Sequence, residues 1–114
     1  MTLSLFFSTS VFAKVYTCTY KGYKDSKRTF SITINNGKAM VKPETLEARE
    51  YKILKDTDIG LVLVEAFTNF FSKTNSRHIG LMAIVIDKES KKFSFGSILY
   101  DRKGADPDFG TCKF

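Results

Sequence analysis

The sequence predicts an all-β domain, about eight antiparallel strands in a meander that closes into a small barrel or a flattened sandwich. Three observations predict it. Apolar and polar residues alternate with a period of two, as in Thr29-Phe30-Ser31-Ile32-Thr33-Ile34, the pattern of a half-buried strand. Short polar connections separate the alternating runs. The clearest is Asn35-Asn36-Gly37, because Asn-Gly tolerates the positive φ that a tight hairpin turn demands. The only two cysteines, Cys18 and Cys112, stand near opposite ends of the chain, so one disulfide would tie the N-terminal strand to the C-terminal one.

Each element follows from its own residues. Residues 15–21 form the first strand and carry Cys18. Phe30, Ile32 and Ile34 mark the buried face of the second. Residues 38–42 return from the Asn-Gly turn and stop at Pro43, which cannot donate to a ladder. Residues 47–54 alternate, with Ala48, Tyr51 and Ile53 as apolar candidates, and Lys55-Asp56-Thr57-Asp58 is a polar turn. Residues 60–67 are nearly all apolar, so both faces of this strand are expected to be covered. Residues 68–77 read as a longer loop or a short helical turn around Phe70 and Phe71. Residues 78–86 are another strand with Gly80 at a bulge position, and Asp87-Lys88-Glu89-Ser90 turns the chain. Residues 92–99 place Phe93 and Phe95 on one face. A loop over 101–108 holds Gly104 and Pro107, and 109–114 closes the domain beside the first strand. Sequential strands joined by tight turns pair as neighbours, and closure removes exposed edges.

The N-terminal segment and the cysteines set the compartment. Residues 1–13 carry no charged side chain and end Val11-Phe12-Ala13. An apolar stretch followed by small residues at −3 and −1 is a secretory signal peptide pattern. Cleavage there would leave residues 14–114 as a single domain beginning at Lys14. A positive n-region would then have to come from the α-amino group or from a start further upstream. Disulfides persist in oxidising compartments, so a periplasmic or secreted protein is expected. The thiols are 94 positions apart, and closing a loop of that length contributes about 4–5 kcal/mol by chain entropy, an upper figure. No apolar run reaches the roughly 18–20 residues of a membrane-spanning helix.

The formal net charge is +6 and the isoelectric point about 9.4. Such a surface attracts anions: an envelope glycan, a lipid headgroup or an acidic protein, with nucleic acid disfavoured for an exported chain. A monomer is expected. The most distinctive segment is Tyr20-Lys21-Gly22-Tyr23-Lys24-Asp25-Ser26-Lys27-Arg28. Cations that hold phosphate or sulfate, interleaved with rings that stack on bases or sugars, are a common means of holding anionic polymers. Tyr20, Lys21, Tyr23, Lys24, Lys27 and Arg28 are therefore the candidate ligand- or partner-binding residues. The competing reading is a solvated hairpin tip whose lysines guard strand edges. Phe67, Phe70 and Phe71 would either line the mouth of a barrel cavity, making the protein a lipocalin-like carrier of a small apolar ligand, or cap the barrel as core.

Catalysis and metal binding find little support. His78 is the one histidine, and no nucleophile motif or glycine-rich phosphate loop is present. Glu47, Glu50 and Glu65 would matter only if they met in space. Asp101, Asp106 and Asp108 are explained by turn chemistry as readily as by Ca²⁺. Two cysteines and one histidine are too few ligands for a zinc site. No enzyme, cofactor or metal is expected.

Tyr16-Thr17-Cys18 near the expected mature N-terminus and Gly110-Thr111-Cys112 near the end resemble the ends of periplasmic C-type lysozyme inhibitors, exported barrels of similar size. The resemblance implies a disulfide-tied barrel and, by extension, an inhibitor. The chain has no Trp and lacks the family's Ser-rich motif with its downstream Tyr, so no inhibitory residue is carried over. A basic chain would also be repelled by a basic lysozyme. The expectation is an exported, non-catalytic binding protein that engages an anionic partner through the basic-aromatic segment. A lipocalin-like carrier, or an inhibitor resembling those of lysozyme, is the alternative.

Overall fold

The computed structural model describes residues 13–102, 104 and 106–114, with Tyr23 described in its backbone alone. All but the last residue of the expected signal peptide lie outside the described residues. The chain runs β1 (Lys14–Lys21), a short 3-10 turn (Tyr23–Asp25), β2 (Lys27–Asn35), β3 (Lys38–Pro43), β4 (Arg49–Asp56), β5 (Gly60–Phe71), β6 (Ser76–Asp87), β7 (Lys92–Leu99) and β8 (Asp108–Lys113). Every strand pairs antiparallel with the next, and β8 pairs with β1, so the sheet closes into an eight-stranded barrel rather than a sandwich.

Closure follows from the register. Thr17, Cys18, Thr19 and Tyr20 face Lys113, Cys112, Thr111 and Gly110. Cys18 and Cys112 are thus direct cross-strand partners, and their disulfide fastens the seam. Gly110 is required there, because a Cβ would collide with the Thr19 carbonyl and the Phe93 ring.

The period-two pattern sorts side chains as expected. Tyr16, Ile32, Ala39, Leu61, Leu63, Ile84 and Ile86 point inward and are at most 1% exposed. Each large apolar side chain buried this way contributes about 1.5–3 kcal/mol. The Asn-Gly turn also behaves as its residues dictate, with Asn36 at φ 54° and Gly37 at φ 76°.

Three expectations are corrected. Residues 68–77 are neither a loop nor a helical turn. β5 runs on to Phe71 and β6 begins at Ser76, paired in unbroken register from Gly60↔Asp87 to Phe71↔Ser76. Phe and Thr favour a strand, and Asn75 at φ 53° supplies the positive-φ residue the turn needs. Gly80 is not a bulge, since it pairs in register with Phe67 and Leu99. It is glycine because a Cβ would meet the Ile98 carbonyl. The ladder irregularity lies instead in β4, between Ile53 and Lys55. Finally, β5 is buried on one face only. Leu61 and Leu63 are fully enclosed, whereas Val62 and Val64 on the outer face are half-buried.

Candidate ligand cavity

The two ends of the barrel differ in how they are closed, and the open one holds a cavity of about 470 Å³. Its floor is apolar: Phe30 from β2, Val41 from β3, Met82 from β6 and Phe95 from β7. These positions lie towards the end where the β1–β2 turn and the β3–β4 loop emerge. An aromatic cluster shapes one wall. Phe30 lies edge-on to Phe93 with ring centroids 5.1 Å apart, and Tyr20 sits 6.1 Å from both rings. Tyr20 is half-buried, and burial first, then the nearby Asp108 carboxylate, raises its phenol pKa.

The rim is polar. Lys27 and Arg28 contribute from the start of β2, and among the described residues neither has an ion-pair partner. The Arg28 side chain lies over Gly22, where a Cβ would come within 2.8 Å of Arg28 Cγ, and its Nε donates to Ser26 Oγ at 3.3 Å. These contacts aim its guanidinium along the rim. Glu44 extends the β2–β3 ladder by one step. Its backbone N–H donates to the Thr29 carbonyl at 3.2 Å, and its Oε1 accepts from the Thr29 N–H at 3.0 Å. Lys42 Nζ donates to the Leu46 carbonyl at 3.4 Å and holds the following loop, so Leu46 overhangs the mouth.

The opposite wall carries a half-buried acid. Glu65 Oε2 accepts from Arg49 Nε at 2.8 Å, with the Glu65 side chain 15% exposed and Arg49 63% exposed. Glu65 Oε1 is buried without a hydrogen-bond partner. Tyr51 lies beside this pair, 4% exposed, and its phenol pKa is pushed up to about 12 by burial and then by the Glu65 carboxylate. The phenol therefore stays neutral across ordinary pH. Among the described residues, Lys27 and Arg28 are the cations lining the cavity that form no ion pair.

The expected binding residues are divided by this geometry. Tyr20, Lys27 and Arg28 converge on the cavity. Lys21, at the end of β1, and Lys24, in the following turn at φ 58°, are exposed outside it. The backbone at Tyr23 joins the short 3-10 turn. Phe70 and Phe71 neither line the cavity nor fill the core, being 58% and 48% exposed. His78 is exposed, with its ring edge-on to Phe71 at 4.9 Å. Glu65 is engaged by Arg49, while Glu47 and Glu50 are exposed. Asp101 pairs with Arg102 at 2.9 Å, and no acidic or metal-ligating cluster occurs among the described residues.

Arg49, Tyr51, Glu65 and Met82 complete the site and were not singled out as a group by sequence reasoning. One signal was legible. In Leu61-Val62-Leu63-Val64-Glu65 the glutamate shares the parity of the buried leucines, so it must face the barrel interior.

No protein-family model matches the chain, and no characterised protein or solved structure matches it significantly.

Proposed function

We propose that this is a non-catalytic binding protein that holds a small amphipathic anion in the mouth of its barrel. The apolar part of the ligand lies against Phe30, Val41, Met82 and Phe95, and its acidic group meets Lys27 and Arg28. One observation carries the reading: Tyr20, Lys27 and Arg28 of the basic-aromatic segment line the same cavity as the apolar floor. The anion-binding and carrier expectations thereby become one. Pockets of roughly 300–1,000 Å³ with apolar walls and a few placed polar groups suit small molecules. An eight-stranded barrel is wide enough for one such ligand.

Work outside the cytosol belongs to the same proposal and is supported by the Cys18–Cys112 bond. Intact mass of the protein from its native cells tests it. A chain starting at Lys14 and lighter by two hydrogens before reduction is expected, and a full-length chain with free thiols overturns it.

Anilinonaphthalene sulfonate, an anion with apolar rings, is a direct probe of the cavity. Saturable binding displaced by decanoate is expected. Reversing charge with Lys27→Glu and Arg28→Glu should weaken it by about tenfold or more and flatten its salt dependence. Val41→Phe should fill the floor and abolish it. Binding indifferent to both changes would sink the proposal.

A further inference from the structure

The β5–β6 hairpin outgrows the barrel. β4 pairs with β5 only over Leu61 to Val64, and β7 pairs with β6 only from Gly80 onward. Beyond them Thr68–Phe71 and Ser76–His78 form a two-stranded ribbon, with Tyr100 reaching only as far as the Ile79 carbonyl. Its tip is apolar and basic at once. Phe70 and Phe71 are exposed, Lys73 stands in the turn, and Arg77 lies directly across from Phe70. From Ala66 to Ile86 the sequence has no Asp or Glu.

Successive residues of a strand point to opposite faces. Phe70 therefore projects on the outer face beside Ile79, and Phe71 projects on the other, against His78. A folded partner would cover one face of the ribbon and leave the second phenylalanine in water. A fluid interface surrounds the tip and covers both.

We propose that this ribbon inserts into an anionic lipid surface, with Phe70 and Phe71 at the depth of the headgroup–acyl boundary and Lys73 and Arg77 on the anionic headgroups. Aromatic side chains favour that boundary, and long cations keep their charge at headgroup level while their stems stay apolar. The match is electrostatic as well. A chain of net charge +6 presents an acid-free projection, and each basic side chain near an anionic bilayer strengthens binding about fivefold. The cavity mouth opens at the same end of the barrel, and insertion of the ribbon requires no ligand in it.

Co-sedimentation of the intact protein with vesicles tests this. Vesicles of phosphatidylcholine with phosphatidylglycerol should capture it, and pure phosphatidylcholine should capture about tenfold less. Phe70→Ser with Phe71→Ser should cut capture by about tenfold or more while leaving the thermal midpoint unchanged. Lys73→Glu with Arg77→Glu lies on exposed positions that no fold contact requires. It should cut capture by about twentyfold or more and remove its salt dependence, which decides the matter if the serine variant is unstable. Equal capture by both vesicle types, or capture insensitive to the glutamate variant, overturns the proposal. So does sedimentation equilibrium showing a dimer that the serine variant abolishes, because a second copy would then cover the tip.

Discussion

At one end of the barrel the turns are tight and the interior is full. At the other most of the connections are longer and the interior is open. The first end carries the Asn36–Gly37 turn and the links from Asp56 to Gly60 and from Asp87 to Lys92. Leu61, Leu63, Ile84, Ile86 and Tyr16 pack inside it. The Phe114 ring closes over Tyr16 at 4.7 Å, with Lys14 and Lys91 each 5.4 Å from its centroid. Two of the turns are braced by Lys88 Nζ on Asp56 Oδ1 at 2.6 Å. The second end carries the links 22–26, 44–48, 72–75 and 100–107. Its inward positions bear Tyr20, Glu65, Met82 and Phe95 around a void. Short turns draw strand ends together until side chains meet across the axis. Long ones let the rim splay, and charged groups at the rim keep water there. The same ladder can thus make a core and a pocket a few residues apart.

Predictions can break this contrast. The largest effect is expected at the seam both ends share. Cys18→Ser with Cys112→Ser should lower stability by about 2–5 kcal/mol in chemical denaturation, because the seam then rests on four paired positions. A loss below about 1 kcal/mol would mean that packing at the full end closes the barrel unaided.

The contrast itself is sharpened by two truncations on one strand. Ile84→Ala leaves a new hole in a sealed interior and should cost about 3 kcal/mol. Met82→Ala borders existing space and should cost about 1 kcal/mol, while enlarging the cavity. Equal costs would show that the mouth is as tightly packed as the base.

The smallest effect is confined to alkaline pH. Tyr51 is raised from 10.0 to about 12, so the folded state holds this proton longer than the unfolded one. Its contribution to stability is complete below pH 10 and declines as pH rises from 10 towards about 12. Ultraviolet absorbance should show one tyrosine titrating near the top of that window, and Glu65→Gln should bring it down by removing the adjacent negative charge. A Tyr51 that titrates near the ordinary phenol value of 10.0 would remove the coupling between this phenol and the Glu65 carboxylate.

Much of the architecture was legible because its causes are local. The alternation in Phe30, Ile32 and Ile34 and the turn chemistry of Asn36 and Gly37 act over a few residues and leave a direct trace in the sequence. Residues 68–77 misled because β5 and β6 extend past the strands that would flank them, and pattern alone does not reveal where a neighbouring strand stops. The cavity was half legible. Lys27 and Arg28 stand out in sequence, whereas Arg49 and Glu65 are 16 positions apart and meet only through the β4–β5 register.

The amino-acid order by itself determined the strands apart from the 68–77 extension, most of the turns, most of the inward-facing set and the pairing of the two cysteines. Period-two alternation and turn propensity are properties of short segments. Tertiary structure alone decided that the sheet is a barrel, that Lys27 and Arg28 share a site with Glu65 and Met82, and that Phe70 and Phe71 stand clear of the core. Those outcomes depend on where each ladder begins and ends, which is set by the closure of all eight strands together.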